Sequence, residues 1–257
     1  MKIVVCYKLV PEEQDIVALP GGALSFDRAV WKIGQYDLNA VEAGCRLAAK
    51  EGAELAALSV GGAILENSKL RKGILSRGPQ QLFTVIDTKL EQADARQTAA
   101  ALAGALKKLG DADLVLCGEG SGDLYAQQVG IQLGELLGYP VCNAVNAVEA
   151  AEPGVLRVER LLEDEIELLE IPLPAVLSVT SGINEPRIPS AKDILAAGKK
   201  PVTVWNLSDL PADVPPTGVV EVSTTAYPQK DRKNVVIEGS GEDEIAELYG
   251  YLLKELN

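Results

Sequence analysis

The stretch ADLVLCGEGSGDLYAQQVG at residues 112–130 decides the fold. It opens on a short apolar run bounded by glycine, which is typical of a buried β-strand. Glycines then alternate at Gly118, Gly120 and Gly122, and a helical pattern begins at Leu124. The stretch therefore predicts a strand that enters a helix through a turn with almost no side chains. Such a turn could be a plain loop, a phosphate cradle or part of a catalytic centre.

The first half of the chain repeats this alternation of strand and helix. Strands are expected at residues 2–8, 54–62, 81–87 and 112–118. Helical patterns follow them at 37–52, 67–79, 93–110 and 124–138. The first of these helices is expected to have Asp37 as its N-cap. The alternation predicts an α/β fold, an open and mostly parallel sheet with helices on both faces.

The second half of the chain changes character. Short strand patterns at 146–151, 155–164, 165–171 and 174–180 have no helices between them, so we expect them to extend the sheet by antiparallel or crossover pairing. Residues 201–230 are rich in proline and lack periodicity, which favours a linker or an arm lying on a partner. An amphipathic helix is expected at 240–257. It could dock on its own domain or on another subunit. The expected division is an α/β domain at 1–200 and an arm with its helix at 201–257.

Charge and hydropathy narrow the class of protein. The formal net charge of -13 argues against a nucleic-acid partner, because phosphate backbones select lysine and arginine. No apolar run approaches the ~18 residues that a membrane-spanning helix needs. The first residues lack the pattern of a secretory signal peptide. We therefore expect a cytosolic protein without a membrane span.

The cysteine and histidine content excludes several kinds of site. The cysteines at 6, 45, 117 and 142 are too far apart in sequence for a CxxC pair, and two of them fall in strand-like runs as expected buried thiols. The chain has no histidine. Catalytic triads that depend on histidine and histidine metal sites are therefore excluded, and no metal site is predicted.

Three features are expected to meet at the carboxyl edge of the sheet, where open α/β sheets bind ligands. They are the glycine turn at 118–130, the helix start near Tyr36 and the paired glycines that end the strand at 59–62. Glycines let backbone amides approach an anion, and helix N-termini favour phosphate. The turn does not match the dinucleotide or P-loop fingerprints. A nucleotide cradle is favoured over a structural loop. Tyr36 could stack on a planar ligand or act as a packing residue.

Several ordered motifs resemble the β subunit of electron transfer flavoprotein, especially its FixA-type branch. The resemblance covers essentially the whole chain. The stretches that carry it are KIVVCYKLVPEEQDI at 2–16, QYDLNAVEA at 35–43, DLVLCGEGSGDLYAQQVG at 113–130, VERLLEDEIELLEIPLPAVLSV at 158–179 and INEPRIPSAKDILAAGKKP at 183–201.

The resemblance implies an electron-carrier subunit with a fold similar to adenine nucleotide α-hydrolases. Such a subunit pairs with an α subunit that holds most of an FAD. It buries an adenine nucleotide of its own, which is AMP in many members and a second FAD in electron-bifurcating ones. It carries electrons between a flavin dehydrogenase, which in this branch is an acyl-CoA dehydrogenase or another flavoenzyme, and a quinone or other acceptor. It is not expected to be an enzyme with its own bond-making site, and the arm and last helix would dock on the α subunit.

Matching motif positions implies which residues would act. The α subunit's flavin would approach Tyr36 and the loop near Glu13. The residues that would contact the nucleotide are Cys6, Gly34, Gln35, Tyr36, Asp37, Val60, Gly118, Glu119, Gly120, Ser121, Gly122, Asp123, Leu124, Tyr125, Ala126, Gln127, Gln128 and Val129. The segment that would dock the dehydrogenase consists of Arg187, Ile188, Pro189, Ser190, Ala191, Lys192, Asp193, Ile194 and Leu195. The family's bulky apolar anchor in this segment falls on Ala191.

Two other functions are compatible with a sheet of this kind. A stand-alone adenine-nucleotide sensor, similar to universal stress proteins, remains the alternative, although the long arm and the NEPRIP loop at 184–189 speak against it. A ligase of the ATP-pyrophosphatase type would need a loop rich in serine and glycine after the first strand. The sequence YKLVPEEQD at 7–15 has no such loop.

Overall fold

The computed structural model describes residues 1–110, 112–227 and 234–256. Within them the chain forms thirteen β-strands and six α-helices. The strands are β1 Lys2–Cys6, β2 Leu9–Pro11, β3 Val17–Ala18, β4 Leu24–Ser25, β5 Trp31–Ile33, β6 Glu54–Gly61, β7 Gln81–Ile86, β8 Leu114–Gly118, β9 Val141–Glu152, β10 Val155–Leu161, β11 Ile166–Pro172, β12 Ala175–Val179 and β13 Val202–Trp205. The helices are α1 Gln35–Glu51, α2 Ser68–Leu75, α3 Ala95–Leu109, α4 Val129–Leu137, α5 Ala191–Ala197 and α6 Glu242–Leu256.

Nine strands form one sheet in the order β11-β10-β9-β12-β8-β1-β6-β7-β13. In this order, the seven strands from β9 to β13 are each parallel to their neighbours within that group. Strand β10 is antiparallel to both β9 and β11. Strands β2 and β5 form a small sheet of their own, as do β3 and β4. The predicted α/β fold with a mostly parallel sheet is confirmed, and so is the antiparallel extension in the second half of the chain.

Helices cover both faces of the sheet because successive residues of each strand point to opposite sides. Val5 of β1 packs in the apolar cluster that contains α1 and α2, including Val41. Val4 packs in the other cluster, which contains α3 and α4, including Leu102. Burying an aliphatic side chain of this size stabilises the fold by about 1.5–3 kcal/mol. The short apolar strands therefore form the centre of the domain.

The start of α1 differs from the prediction. Gly34, not Asp37, is the N-cap, and it makes no side-chain capping hydrogen bond. Asp37 lies in the first turn of the helix and is buried. Its carboxylate accepts hydrogen bonds from outside the helix, from the backbone N–H groups of Lys8 and Gly118. The prediction of an N-cap was wrong because the sequence pattern does not reveal these distant donors.

Helix α4 begins later than its periodicity predicted. The pattern placed the start at Leu124, but the helix begins at Val129. Tyr125 and Gln127 have left-handed backbone conformations, with φ values of 44° and 55°. Residues with positive φ interrupt a right-handed helix. Tyr125 instead packs its ring against Tyr36, with 5.3 Å between the ring centroids. The turn is therefore longer than the sequence indicated.

The segment expected as an arm begins inside the main sheet. Strand β13 pairs in parallel with β7 and forms one edge of the sheet. The chain divides into two compact units, one formed by Met1–Val17 with Ser25–Ser223 and the other by Ala18–Leu24 with the residues from Thr224 onward. In the second unit the N–H of Ala226 donates to the carbonyl of Gly22 at 2.7 Å. Residues 228–233 and 257 of the expected arm lie outside the described residues.

The predicted C-terminal helix is confirmed as α6. It is amphipathic, and none of its residues is buried. Each side chain on its apolar stripe is about half exposed or more. The stripe consists of Ile245, Leu248, Tyr249, Leu252 and Leu256.

Candidate functional site

A cavity of about 630 Å³ lies at the carboxyl edge of the sheet, where β1, β6 and β8 end. It brings together most of the residues singled out from the sequence. Those that line it are Cys6, Asp37, Val60, Gly118, Glu119, Gly120, Ser121, Asp123, Leu124, Ala126, Gln127, Gln128 and Val129. Those that do not are Gly34, Gln35, Tyr36, Gly122 and Tyr125. Tyr36 and Tyr125 pack on each other behind this wall.

The rest of the wall, apart from Gly61 and Gly62 at the end of β6, was missed by the sequence analysis. Part of it could have been found, because residues 90–93 follow the carboxyl end of β7 at the same edge of the sheet. Trp31 and Glu221 carry no local signal, since only the tertiary fold brings them to the cavity. The further lining residues are Tyr7, Lys8, Leu9, Trp31, Gly61, Gly62, Ala63, Ile64, Leu65, Leu90, Glu91, Gln92, Ala93, Ala95, Thr98, Leu102, Cys117 and Glu221.

Glycine is required at two positions of the turn because other chain segments approach closely. A Cβ atom added at Gly118 would lie 2.7 Å from Oδ1 of Asp37 and 2.8 Å from the backbone carbonyl carbon of Tyr36. A Cβ atom at Gly120 would overlap the ring of Tyr125. Nothing lies within 4 Å of the corresponding position at Gly122. Close contacts therefore explain the lack of a side chain at Gly118 and Gly120, but not at Gly122.

The Asp37 carboxylate joins the ends of two strands. Its Oδ2 accepts the N–H of Lys8 at 2.7 Å, just beyond β1, and the carboxylate also accepts the N–H of Gly118 at the end of β8. Burial raises the pKa of this carboxyl to about 7, although both N–H groups act against the rise. Asp37 thus holds the glycine turn beside the first strand.

The floor of the cavity contains two thiols. Cys6 and Cys117 follow directly on the paired residues Val5 and Leu116 of β1 and β8. Both thiols are buried and free. The hydrogen bond with Cys117 and burial raise the pKa of Cys6 well above its usual value. A floor of two buried thiols suits the uncharged part of a ligand, such as a base, better than a phosphate.

Acidic side chains dominate the charged lining of the cavity. The carboxylates are Asp37, Glu91, Glu119, Asp123 and Glu221, and the cation is Lys8. Lys8 forms an ion pair with Asp123, with 2.6 Å between Nζ and Oδ2. Burial acts to raise the pKa of Asp123, but the bonds from Lys8 and Ser121 outweigh it and hold that pKa below its usual value. A phosphate in this cavity would therefore depend on backbone donors more than on lysine or arginine.

Such donors are present at the start of α4. No side chain caps this helix, whose N-cap is Gln128. The N–H groups in the first turn of a helix have no partner within the helix and carry a partial positive charge. Gln128 and Val129 line the cavity, so this helix start faces the same space as the glycine turn.

The segment expected to dock a dehydrogenase lies outside the cavity lining. The Arg187 guanidinium donates to Oε2 of Glu42 at 2.6 Å, and Arg46 donates to Oε1 of the same carboxylate at 2.7 Å. Burial acts to raise the pKa of Glu42, yet these guanidinium groups hold it below its usual value. Ser190 and Asp193 form a capping box at the start of α5.

This segment exposes large apolar side chains beside the exposed polar residues Ser190, Lys192 and Asp193. Ile188 and Leu195 are 94% and 77% exposed, and Ile194 is also exposed. Ala191 is the first residue of α5 and is exposed as well. The anchored Arg187 and the capped helix thus present apolar side chains from a fixed backbone.

The described residues were compared with the requirements of a membrane-spanning helix and of a metal site. No helix among them combines the length and the apolar composition that crossing a membrane requires. In the same part of the chain, no group of three or more histidine, cysteine, aspartate or glutamate side chains is arranged to hold a metal ion.

Comparison with protein families identifies the chain. Residues 23–210 match the family model of the electron transfer flavoprotein domain. The match spans well over half of the sequence and includes the glycine turn, the antiparallel strands β9–β11 and the segment with α5. The chain therefore belongs to the electron transfer flavoprotein family, whose members are flavoproteins of electron transport.

Proposed function

We propose that this chain is the β subunit of a heterodimeric electron transfer flavoprotein, of the FixA-type branch, and that it binds an adenine nucleotide. The heterodimer would carry electrons between flavin dehydrogenases and a quinone or other acceptor. The observation that carries the proposal is the cavity of about 630 Å³, built from a glycine turn and an uncapped helix start, in a member of this family. Its size lies within the range of roughly 300–1,000 Å³ for small-molecule and cofactor sites.

The residues of the cavity fit an adenine nucleotide. Backbone N–H groups at Gly120 and at the start of α4 would hold the phosphate, because glycine lets a peptide group approach an anion and the helix start has no side-chain cap. The thiol floor and the apolar wall would hold the base. The ligand is AMP or a second FAD, and both contain the adenylate group that this arrangement suits.

The chain itself would perform no bond-making chemistry. Flavin, when bound, supplies the electron transfer, and most of the α subunit's FAD lies outside this chain. This chain's residues bind the adenylate, fix the glycine turn through Asp37 and exclude water from the cavity. The lack of histidine agrees with that role.

The partner subunit would cover the apolar stripe of α6. An amphipathic helix gains most of its stability from burying its apolar face against another surface. The exposure of Ile245, Leu248 and Leu252 therefore favours docking on another subunit.

We predict that Leu195→Asp slows electron transfer from the dehydrogenase partner by at least tenfold. Leu195 is 77% exposed, so the substitution places a charge on the docking surface without disturbing the core. Reduction of the flavin by the dehydrogenase, followed by absorbance at several partner concentrations, measures the second-order rate. The melting temperature and the nucleotide content should not change.

The control for this prediction is Leu168→Asp on β11. Leu168 is similarly exposed, at 69%, and lies outside the docking segment. The substitution Leu168→Asp should leave the rate of flavin reduction equal to that of the wild type. Equal losses from both substitutions would show that the segment from Arg187 to Leu195 has no special role.

Co-expression with the proposed partner, the α subunit, tests the proposed function. A stable yellow heterodimer is expected, with this chain in equimolar amount. A colourless monomer that does not associate with the α subunit would contradict the proposal. Dimerisation of that monomer on addition of ATP would favour a stand-alone nucleotide sensor.

A further inference from the structure

Residues 205–223, here called the strap, run along α3 toward the cavity. Near the C-terminal end of the helix, Trp205 stacks on Phe83, with 5.2 Å between ring centroids. Lys108 lies over the Trp205 ring at 5.1 Å and donates from Nζ to the carbonyl of Asp209 at 2.7 Å. The strap is therefore anchored to α3 at its beginning.

The middle of the strap packs closely on the helix. A Cβ atom at Gly104 would lie 3.2 Å from Cδ1 of Leu210 and 3.3 Å from Cβ of Ala212. Leu210 is buried in the same apolar cluster as α3. The absence of a side chain at Gly104 lets the strap lie against the helix backbone.

The carboxylate of Asp94 binds the strap near its far end. Asp94 is the N-cap of α3, and its Oδ1 accepts the N–H of Gln97 at 2.7 Å. Its Oδ2 accepts the N–H of Gly218 at 2.7 Å and the hydroxyl of Thr217 at 3.0 Å. One oxygen of Asp94 thus caps the helix, while the other clasps the strap. The bonds from Gln97, Gly218 and Thr217 hold the pKa of Asp94 below its usual value, although burial acts the other way.

The contact of Asp94 with Thr217 and Gly218, here called the clasp, lies directly beside the cavity. Ala93 and Ala95, the neighbours of Asp94, line the cavity, but Asp94 itself does not. Glu221, three residues beyond Gly218, lines it as well. The strap therefore supplies part of the cavity wall three residues beyond its contact with Asp94.

We propose that Asp94 is a positioning residue of the nucleotide site, which clasps the strap so that its Glu221 end completes the wall and slows release of the nucleotide. This inference rests on the proposed function, because it assumes that the cavity holds an adenine nucleotide. Asp94 acts through Thr217 and Gly218 and does not touch the ligand.

The test is Asp94→Asn in the full chain, co-expressed with its partner subunit. Asparagine is as good an N-cap as aspartate, so its Oδ1 can still cap α3. Its Nδ2 cannot accept the N–H of Gly218. We expect release of bound AMP, measured by dilution of radiolabelled AMP into excess unlabelled AMP, to become at least tenfold faster. Hydrogen exchange at residues 217–223 should also become faster, while the melting temperature changes little.

Two further variants separate the clasp from general effects. Thr217→Val removes the hydroxyl donor without changing the cap, and it should accelerate release in the same direction by a smaller factor. Asp113→Asn makes the same chemical change at a carboxylate that accepts the N–H of Lys2 at 2.7 Å, next to the start of β8 and outside the cavity lining, and should leave the release rate unchanged.

The outcomes distinguish this inference from the proposed function. If the wild type retains no adenine nucleotide, the proposed function fails. If the wild type retains AMP, and D94N releases it at the same rate or leaves the exchange at 217–223 unchanged, the clasp is overturned. Should D94N fail to fold, the release rate of Thr217→Val decides between the same two results.

Discussion

Gly118→Ala is expected to weaken nucleotide binding at least a hundredfold. The added Cβ would lie 2.7 Å from both Oδ1 of Asp37 and Cβ of Tyr36, and 2.8 Å from the carbonyl carbon of Tyr36. Backbone atoms at the start of α1 cannot move aside as a flexible side chain would. The turn must therefore shift, which costs about 1–3 kcal/mol of folding free energy in a packed site. Titration with AMP and denaturant unfolding measure the two effects.

The matched control is Gly122→Ala in the same turn. Nothing lies within 4 Å of the position that its Cβ would take, and its φ is outside the left-handed region. AMP affinity should stay within about threefold of the wild type, which corresponds to less than ~1 kcal/mol. If both alanine variants bind AMP alike, the close approach at Gly118 does not shape the site.

Asp37→Asn is expected to change how stability depends on pH. In the unfolded chain this carboxyl has its ordinary pKa of about 3.8, whereas in the folded chain burial raises the pKa to about 7. Between these values the folded chain binds more protons, so the unfolding free energy of the wild type falls as the pH rises. The fall is at most about 1.4 kcal/mol per pH unit, or roughly 4 kcal/mol across the window. D37N cannot titrate and lacks this contribution.

The measurement is urea unfolding of both proteins at several pH values from 4 to 8. The stability of the wild type minus that of D37N should fall from pH 4 to pH 7 and then level off. The pKa values of three titratable neighbours of Asp37 are shifted away from this window: those of Cys6 and Tyr7 are raised and that of Asp123 is lowered. Lys8 is paired with Asp123. A difference that stays constant with pH would show that Asp37 ionises normally.

D37N should also weaken AMP binding above pH 7. There the wild-type carboxylate offers two acceptor oxygens to the N–H groups of Lys8 and Gly118, whereas the amide offers one oxygen and a donor. An unsatisfied buried N–H costs about 1–3 kcal/mol. The glycine turn would then be held less firmly beside β1.

The sequence predicted the parts of the fold that depend on local periodicity. Short apolar runs between helical patterns identified β1, β6, β7 and β8, because buried parallel strands and amphipathic helices leave distinct spacings. The rule that ligands bind at carboxyl ends of strands then predicted that Val60 and Gly118 would meet, whereas Cys6 was implied only by the resemblance to the family. The cavity has all three in its lining.

Features that depend on distant contacts escaped the prediction. The late start of α4 follows from the left-handed residues Tyr125 and Gln127, which periodicity does not reveal. Strand β13 was assigned to an arm because it is short and lies in a proline-rich stretch, which hides its pairing with β7. Trp31 and Glu221 reach the cavity from positions far away in sequence, and only the tertiary structure brings them there.

Mass spectrometry of the nucleotide released from the purified heterodimer tests the central claim most directly. The account predicts one adenine nucleotide for each copy of this chain, found either as AMP beside one FAD per heterodimer or as two FAD per heterodimer. A heterodimer that contains a single FAD and no second adenine nucleotide would contradict it.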